Sequence, residues 1–255
     1  MIVLDVSNSM LAQDVQPNRL ESSKMILSKL IDNMSDDKIG LIVFAGDAFT
    51  QIPITADYIS AKMFLSSISP NMVARQGTAI GTAIDMAIHG FGEENHQIAR
   101  TIIVITDGEN HEDDAIGAAK LASEKGISIN VIGMGKSDGA PIPIPGTMSF
   151  RKDKENNVVV SKLNETMCKQ IAEAGNGIYV RADNSNVAWK AIEKEINRMS
   201  KSDLETKVYS EYDEKFFIFA WIAFFLLLIE FHLLKKKNKE LNKINFFEKD
   251  FLKKK

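Results

Sequence analysis

The sequence predicts an α/β domain on a doubly wound, mostly parallel sheet of about six strands, followed by one membrane-spanning helix near the C-terminus. Three observations carry that prediction. Short apolar runs rich in Val and Ile alternate with segments whose apolar residues recur at helical spacing. Two of those runs, residues 2–4 and 101–105, stop abruptly in oxygen-bearing side chains, as strands do where an open α/β sheet forms its ligand crevice. Residues 216–234 are apolar apart from Glu230 and His232, and that length matches a bilayer.

The first strand, Ile2-Val3-Leu4, runs into Asp5, Ser7 and Ser9, a carboxylate and two hydroxyls at alternate positions. These are hard oxygen donors of the kind Mg²⁺ prefers, although Asp and Ser also cap helices and turn loops. Pro17 then opens a helix, since proline is tolerated in a first turn, and Leu20, Leu27, Leu30, Ile31 and Met34 form its packing face. Residues 38–45 are nearly continuously apolar, a strand buried on both faces. Gly46 and Asp47 turn the chain, and 48–54 return as a short antiparallel edge strand, because Pro53 cannot donate to a ladder.

Asp57 caps a helix reaching about Ile68, and the following loop leads to Gly77 and Thr78 at the amino end of a helix over 79–88. The next strand ends at Thr106-Asp107-Gly108. A helix from near Asp113 to Lys125 follows, with Glu112, Asp113 and Asp114 as first-turn charges complementing its dipole. Residues 127–133 give another strand. The proline-rich run 141–146 breaks all regular pattern, and 148–152 with 158–161 read as an inserted hairpin. Asn164 caps a helix to Ala174, 178–180 form the last strand, and 187–199 the last helix of the domain.

Charge narrows the function. The net charge is −3, but residues 235–255 hold nine Lys against three acids, leaving 22 basic and 31 acidic groups, or −9, on the rest. An acidic body argues against nucleic-acid binding, which needs a positive footprint. The single cysteine, Cys168, excludes an intrachain disulfide and reads as a packed structural thiol on a helix. The four histidines do not cluster, and His111, near Asp107, reads as a surface-loop residue. No Gly-x-Ser-x-Gly, His-Glu-x-x-His or P-loop pattern occurs, so no catalytic residue is assigned.

Asp5, Ser7 and Ser9, Thr78 in a later loop, and Asp107 in Thr-Asp-Gly resemble the metal-ion-dependent adhesion site (MIDAS) of von Willebrand factor A domains. By that resemblance the fold is Rossmann-like with strand order 3-2-1-4-5-6 and strand 3 antiparallel. Ser7, Ser9 and Thr78 then offer hydroxyl oxygens, and Asp5 and Asp107 act directly or through water. The cation, Mg²⁺ with Mn²⁺ or Ca²⁺ as alternatives, keeps one coordination position for an acidic residue of a partner. The stretches 4–20, 44–49, 76–81 and 105–111 are similar to the Bacteroides aerotolerance (Bat) proteins, particularly the BatB-like branch. That similarity implies other Bat-type membrane proteins and a MoxR-type AAA+ ATPase as partners in aerotolerance or stress resistance, with no small-molecule substrate.

The domain layout read from the sequence is therefore a von Willebrand factor A domain over 1–203 with an insert at about 140–162, a juxtamembrane linker over 204–215, the span 216–234 and a basic tail 235–255. Three lysines follow the span while Glu211, Asp213 and Glu214 precede it, so the positive-inside rule places the tail in the cytoplasm and the domain outside a bacterial inner membrane. Exporting the domain requires an upstream span, expected in a longer reading frame. A metal-dependent phosphohydrolase and a metal-chelatase-like subunit are the alternatives. The first needs a second acid two residues after Asp5, where Ser7 stands, and the second belongs to soluble complexes.

Overall fold

The computed structural model describes residues 1–35, 37–92, 98–110, 113–182, 187–210 and 216–235, with the side chains at 187, 200–210, 216–217 and 231–235 not described. It divides into two compact units, Met1–Glu205 and Thr206–Lys255.

In the first unit β1 (Ile2–Asp5) pairs in parallel with both β2 (Ile39–Phe44) and β4 (Arg100–Thr106), so the strand order turns at its two edges. β3 (Ala48–Thr55) runs antiparallel at one edge, while β5 (Ile127–Met134) and β8 (Tyr179–Ala182) extend the other in parallel. The sheet order is β3-β2-β1-β4-β5-β8, the predicted six strands with the predicted antiparallel edge. Side chains alternate across each strand. Ile2 and Leu4 therefore enter one core, with α1 (Arg19–Asp32), α2 (Tyr58–Ser67) and α6 (Val187–Ser210), and Val3 enters the other, with α3 (Ile80–Gly90), α4 (Ala115–Glu124) and α5 (Glu165–Ala174). All six residues of β2 are buried, as its continuous apolar run requires.

Asp57 and Asn164 cap α2 and α5 as predicted, accepting from Ser60 N and Met167 N. Four details differ. Pro17 precedes α1 rather than opening it, because Asn18 takes the N-cap and accepts from Glu21 N at 2.8 Å. Asp113 does not serve α4, whose cap is Asp114. It accepts instead from Gly81 N and Thr82 N, the free donors at the start of α3. The prolines of the insert do not break all pattern: β6 (Ala140–Pro141) pairs with β7 (Val160–Ser161), and Ile142 between two prolines supplies the backbone donor they lack, to Val159 O, and accepts from Arg151 N. α6 continues past residue 199 to Ser210, since 187–210 contain neither Gly nor Pro.

In the second unit α7 (Phe216–Lys235) coincides with the predicted span, and Ile218, Phe219, Trp221 and Ile222 are exposed along it with residues 224–229. Among the described residues no helix is long and apolar enough to cross a membrane. Residues 211–215 of the predicted linker, the basic tail beyond Lys235, His111 and Glu112 lie outside the described residues, as do the side chains at both ends of the predicted span.

Candidate metal centre

The candidate site forms where β1 and β4, neighbours in the sheet, both terminate in oxygen donors, the crevice position of a doubly wound fold. Asp5 closes β1 and is fully buried. Its Oδ1 accepts from Ser7 N at 2.9 Å, which bends the chain out of the strand, and its Oδ2 accepts from Thr106 Oγ1 at 2.8 Å. Ser7 and Ser9 follow in one short 3₁₀ turn, with their hydroxyl oxygens 2.8 Å apart. Asp107 directly follows β4, also fully buried, and accepts from Glu109 N at 3.2 Å. Gly108 between them has φ +74°, and a Cβ there would stand 2.7 Å from the Cys168 sulfur and the Asn164 carbonyl, so only glycine fits this turn.

Thr78 lies on the loop before α3 and is almost wholly buried. That loop is fastened to the end of β2 by Gly46 N to Arg75 O and Ala79 N to Ala45 O, and to the serine turn by Asn8 N donating to Gln76 Oε1 at 3.0 Å. Asp5, Ser7, Ser9 and Asp107 are thus joined through hydrogen bonds and mutual charge, and Thr78 approaches through its loop.

Burial, followed by the charge of Asp107, pushes the Asp5 carboxyl up to about 7. Asp107 is likewise raised, by burial first and then by Glu109, while a hydrogen bond from Ser9 and the Arg19 charge pull the other way. Two buried carboxylates that resist ionising together, with hydroxyls around them and no soft ligand, are the donor set a small hard dication fits. Among the described residues no group of three or more His, Cys, Asp or Glu gathers anywhere, so a metal site here relies on hydroxyls. Cys168 is no ligand or nucleophile: it is fully buried and burial pushes its thiol up to about 12.

Sequence reasoning gave Arg19 no role, yet this arginine is fully buried beside the site. It donates from Nε and Nη2 to both oxygens of Asp14 at 2.8 and 2.7 Å, and from Nη1 to Asp107 Oδ2 at 3.0 Å and Ser161 Oγ at 2.7 Å. Asp14 also accepts from Lys136 N at 2.7 Å. At Gly135, φ +119°, a Cβ would come within 2.7 Å of Arg19 Nε, so the backbone there is cut away for the guanidinium. The only signal in the sequence was a cation at the start of a helix whose next residue, Leu20, enters the core.

The metal-free domain has a definite pH response. Asp5 takes up a proton near pH 7 when folded but only near pH 4 when unfolded, so between those values the folded state binds more protons. The contribution of Asp5 to stability is therefore gained as pH falls from 8 to 5. Asp14 behaves oppositely: although burial opposes it, the Arg19 and Lys136 donors hold it below the usual range, and its contribution is lost only below about pH 4. Asp5→Asn should raise the urea midpoint in EDTA more at pH 8 than at pH 5, and an equal effect at both would refute this account of Asp5.

The von Willebrand factor type A domain family matches residues 1–109. An aerotolerance-related membrane protein from Bacteroides fragilis, solved with multiple mutations to serines, is 63% identical over 78% of this chain and 98% of its own, with a TM-score of 0.75. BatB from Bacteroides thetaiotaomicron, a conserved hypothetical protein, is 61% identical over 78% of this chain and 97% of its own, with a TM-score of 0.76. Proximal thread matrix protein 1 from the mussel byssus, solved with a zinc-occupied MIDAS motif, shares the fold at 17% identity and a TM-score of 0.53, over 76% of this chain and 43% of that one. The chain spans 67% of the length of one curated relative and about half the length of four others that it matches. The first of these curated relatives, from Borreliella burgdorferi, is named an uncharacterized protein, and the others are named UPF0353 proteins.

Proposed function

The chain belongs to the von Willebrand factor A domain proteins of the Bacteroides aerotolerance family, on the BatB-like branch, and on that premise we propose that it is a membrane-anchored, metal-dependent protein-binding module. One observation carries the reading: two buried carboxylates and a pair of touching hydroxyls share the crevice at the ends of two central strands. Asp5, Ser7, Ser9, Thr78 and Asp107 would hold a hard dication, Mg²⁺ with Mn²⁺ or Ca²⁺ as alternatives, since every donor is an oxygen. When bound, the ion supplies an electrophilic position for a carboxylate from a partner.

The protein's own groups prepare that position. Ser7 N and Thr106 Oγ1 fix both oxygens of Asp5, and Arg19 fixes Asp107. Orientation is therefore settled before any ligand arrives, which lowers the entropic cost of binding. Other Bat-type membrane proteins and a MoxR-type AAA+ ATPase are the proposed partners. We take α7 as the anchor because its described side chains at 218, 219, 221, 222 and 224–229 are apolar and exposed, as contact with lipid requires, and the apolar run of the sequence continues to Leu234. With acids before α7 and lysines after it, the domain is proposed to face the periplasm of a bacterial inner membrane and the tail the cytoplasm.

The test is recovery of co-expressed Bat-type and MoxR-type proteins on the detergent-solubilised full chain, in Mg²⁺ and in EDTA. We expect recovery in Mg²⁺ only, and its loss in Ser7→Ala. Equal recovery under both conditions would remove the metal from the contact.

A further inference from the structure

The insert between β5 and α5 is a small antiparallel patch of three strands. Ala140 and Pro141 pair with Ser161 and Val160, Pro143 bridges Phe150, and Lys152 bridges Val158. Directly paired residues share a face, and faces alternate along a strand. Pro141, Pro143, Phe150, Lys152, Val158 and Val160 consequently lie on one face, and Ile142, Arg151 and Ser161 on the other. Burial separates the faces at their centres: Ile142 and Ser161 are 6% and 1% exposed, against 44% for Phe150, 45% for Val158 and 48% for Val160, while Arg151 at the rim is exposed.

The inner face is bolted to the rim of the candidate metal centre. Ser161 accepts from buried Arg19 and stands 3.3 Å from Asp107 Oδ2. Arg151 Nη2 donates to Asn8 Oδ1 at 2.9 Å, between the two serines of the site, and Lys162 N donates to Glu109 Oε1 at 2.9 Å. The outer face is then held in a fixed place beside the crevice, with β-branched and aromatic side chains where a merely solvated strand would alternate to polar ones. Its one charged side chain is the cation Lys152, and the insert as a whole differs in charge from its surroundings. Residues 140–162 hold four cations and two acids, net +2, in a body that carries −9.

We propose that this outer face is the second half of the docking surface and that its occupant is an extended acidic segment of a partner protein, carrying an apolar residue beside the carboxylate that reaches the metal. The inference rests on the metal-dependent reading above. Phe150, Val158 and Val160 take the apolar residue, Lys152 takes a flanking acid, and the crevice takes the ligating one. Charge selects the occupant, because a cationic insert with Lys152 on its outer face, set in an acidic body, favours acidic chains.

The probe is a phage-displayed library of random 12-residue peptides, selected on the detergent-solubilised full chain in Mg²⁺. Enriched sequences should place Asp or Glu within two residues of a large apolar residue. A synthetic enriched peptide should bind about tenfold more weakly to the Val158→Ser, Val160→Ser double variant and to Lys152→Glu, with Mg²⁺ affinity unchanged in both. Mg²⁺-dependent peptides indifferent to these substitutions would overturn the inference and leave the metal reading standing. Binding unaffected by EDTA would overturn the metal reading itself. The inference also fails if no sequence is enriched, or if the double variant instead abolishes self-association or binding to anionic vesicles, which would assign the face to a second copy or to lipid.

Discussion

Asp5→Asn is expected to weaken Mg²⁺ binding by about 100-fold or more while making the metal-free domain more stable. The side chain keeps its shape, so the strand end and the turn at Ser7 survive. The change removes a carboxylate that is buried beside Asp107 and is pushed up to about 7. At pH 8 that group must carry charge in a site that disfavours it, and the neutral amide relieves the conflict, a gain of about 0.5–2 kcal/mol. Asp107→Asn should go the other way, because it strips Arg19 of a charged partner. Titration calorimetry with MgCl₂ and urea unfolding in EDTA read the two quantities separately. A metal-free Asp5→Asn domain that is less stable than its parent, or one that binds Mg²⁺ normally, would make Asp5 a structural residue and empty the site of its central ligand.

Arg19→Met should destabilise the domain by about 3–5 kcal/mol in EDTA, a large share of a single domain's total. The guanidinium faces Asp14 and Asp107 with no exposure to solvent, and methionine fills most of its volume while leaving two acids without a counter-charge. The loss should narrow in saturating Mg²⁺, where bound cation offsets part of the charge near Asp107 and binding itself stabilises the fold. Arg19→Lys should fall between, since an ammonium can meet one partner but not the forked pair at Asp14. A loss below about 1 kcal/mol in EDTA would mean that the buried acids are neutralised in some other way, and the role given to Arg19 would be withdrawn.

The periodicity of apolar residues was enough to place the strands and the helix faces, because burial on both sides of a central strand leaves an unmistakable run such as residues 39–44. Local capping chemistry was legible for the same reason: Asp57 and Asn164 act within three residues of themselves. What misled were side chains whose partners lie far along the chain. Asp113 sits in front of α4 but serves α3, whose first donors lie about 30 residues earlier. The prolines at 141 and 143 looked like a break because their strand partners, 150 and 160, are not adjacent to them in sequence.

By itself the sequence determined the doubly wound fold, the apolar segment after it, and the chemical character of the five donors Asp5, Ser7, Ser9, Thr78 and Asp107, since residue type and spacing carry that information. Tertiary structure alone decided that a buried arginine from the first helix joins Asp14, Asp107 and the insert, and that the insert turns one apolar face to solvent beside the crevice. The reason is electrostatic and geometric. Whether a charge sits in water or in a low-dielectric interior, and which acids it then balances, depends on residues up to 142 positions away, and no local pattern encodes a pairing of that span.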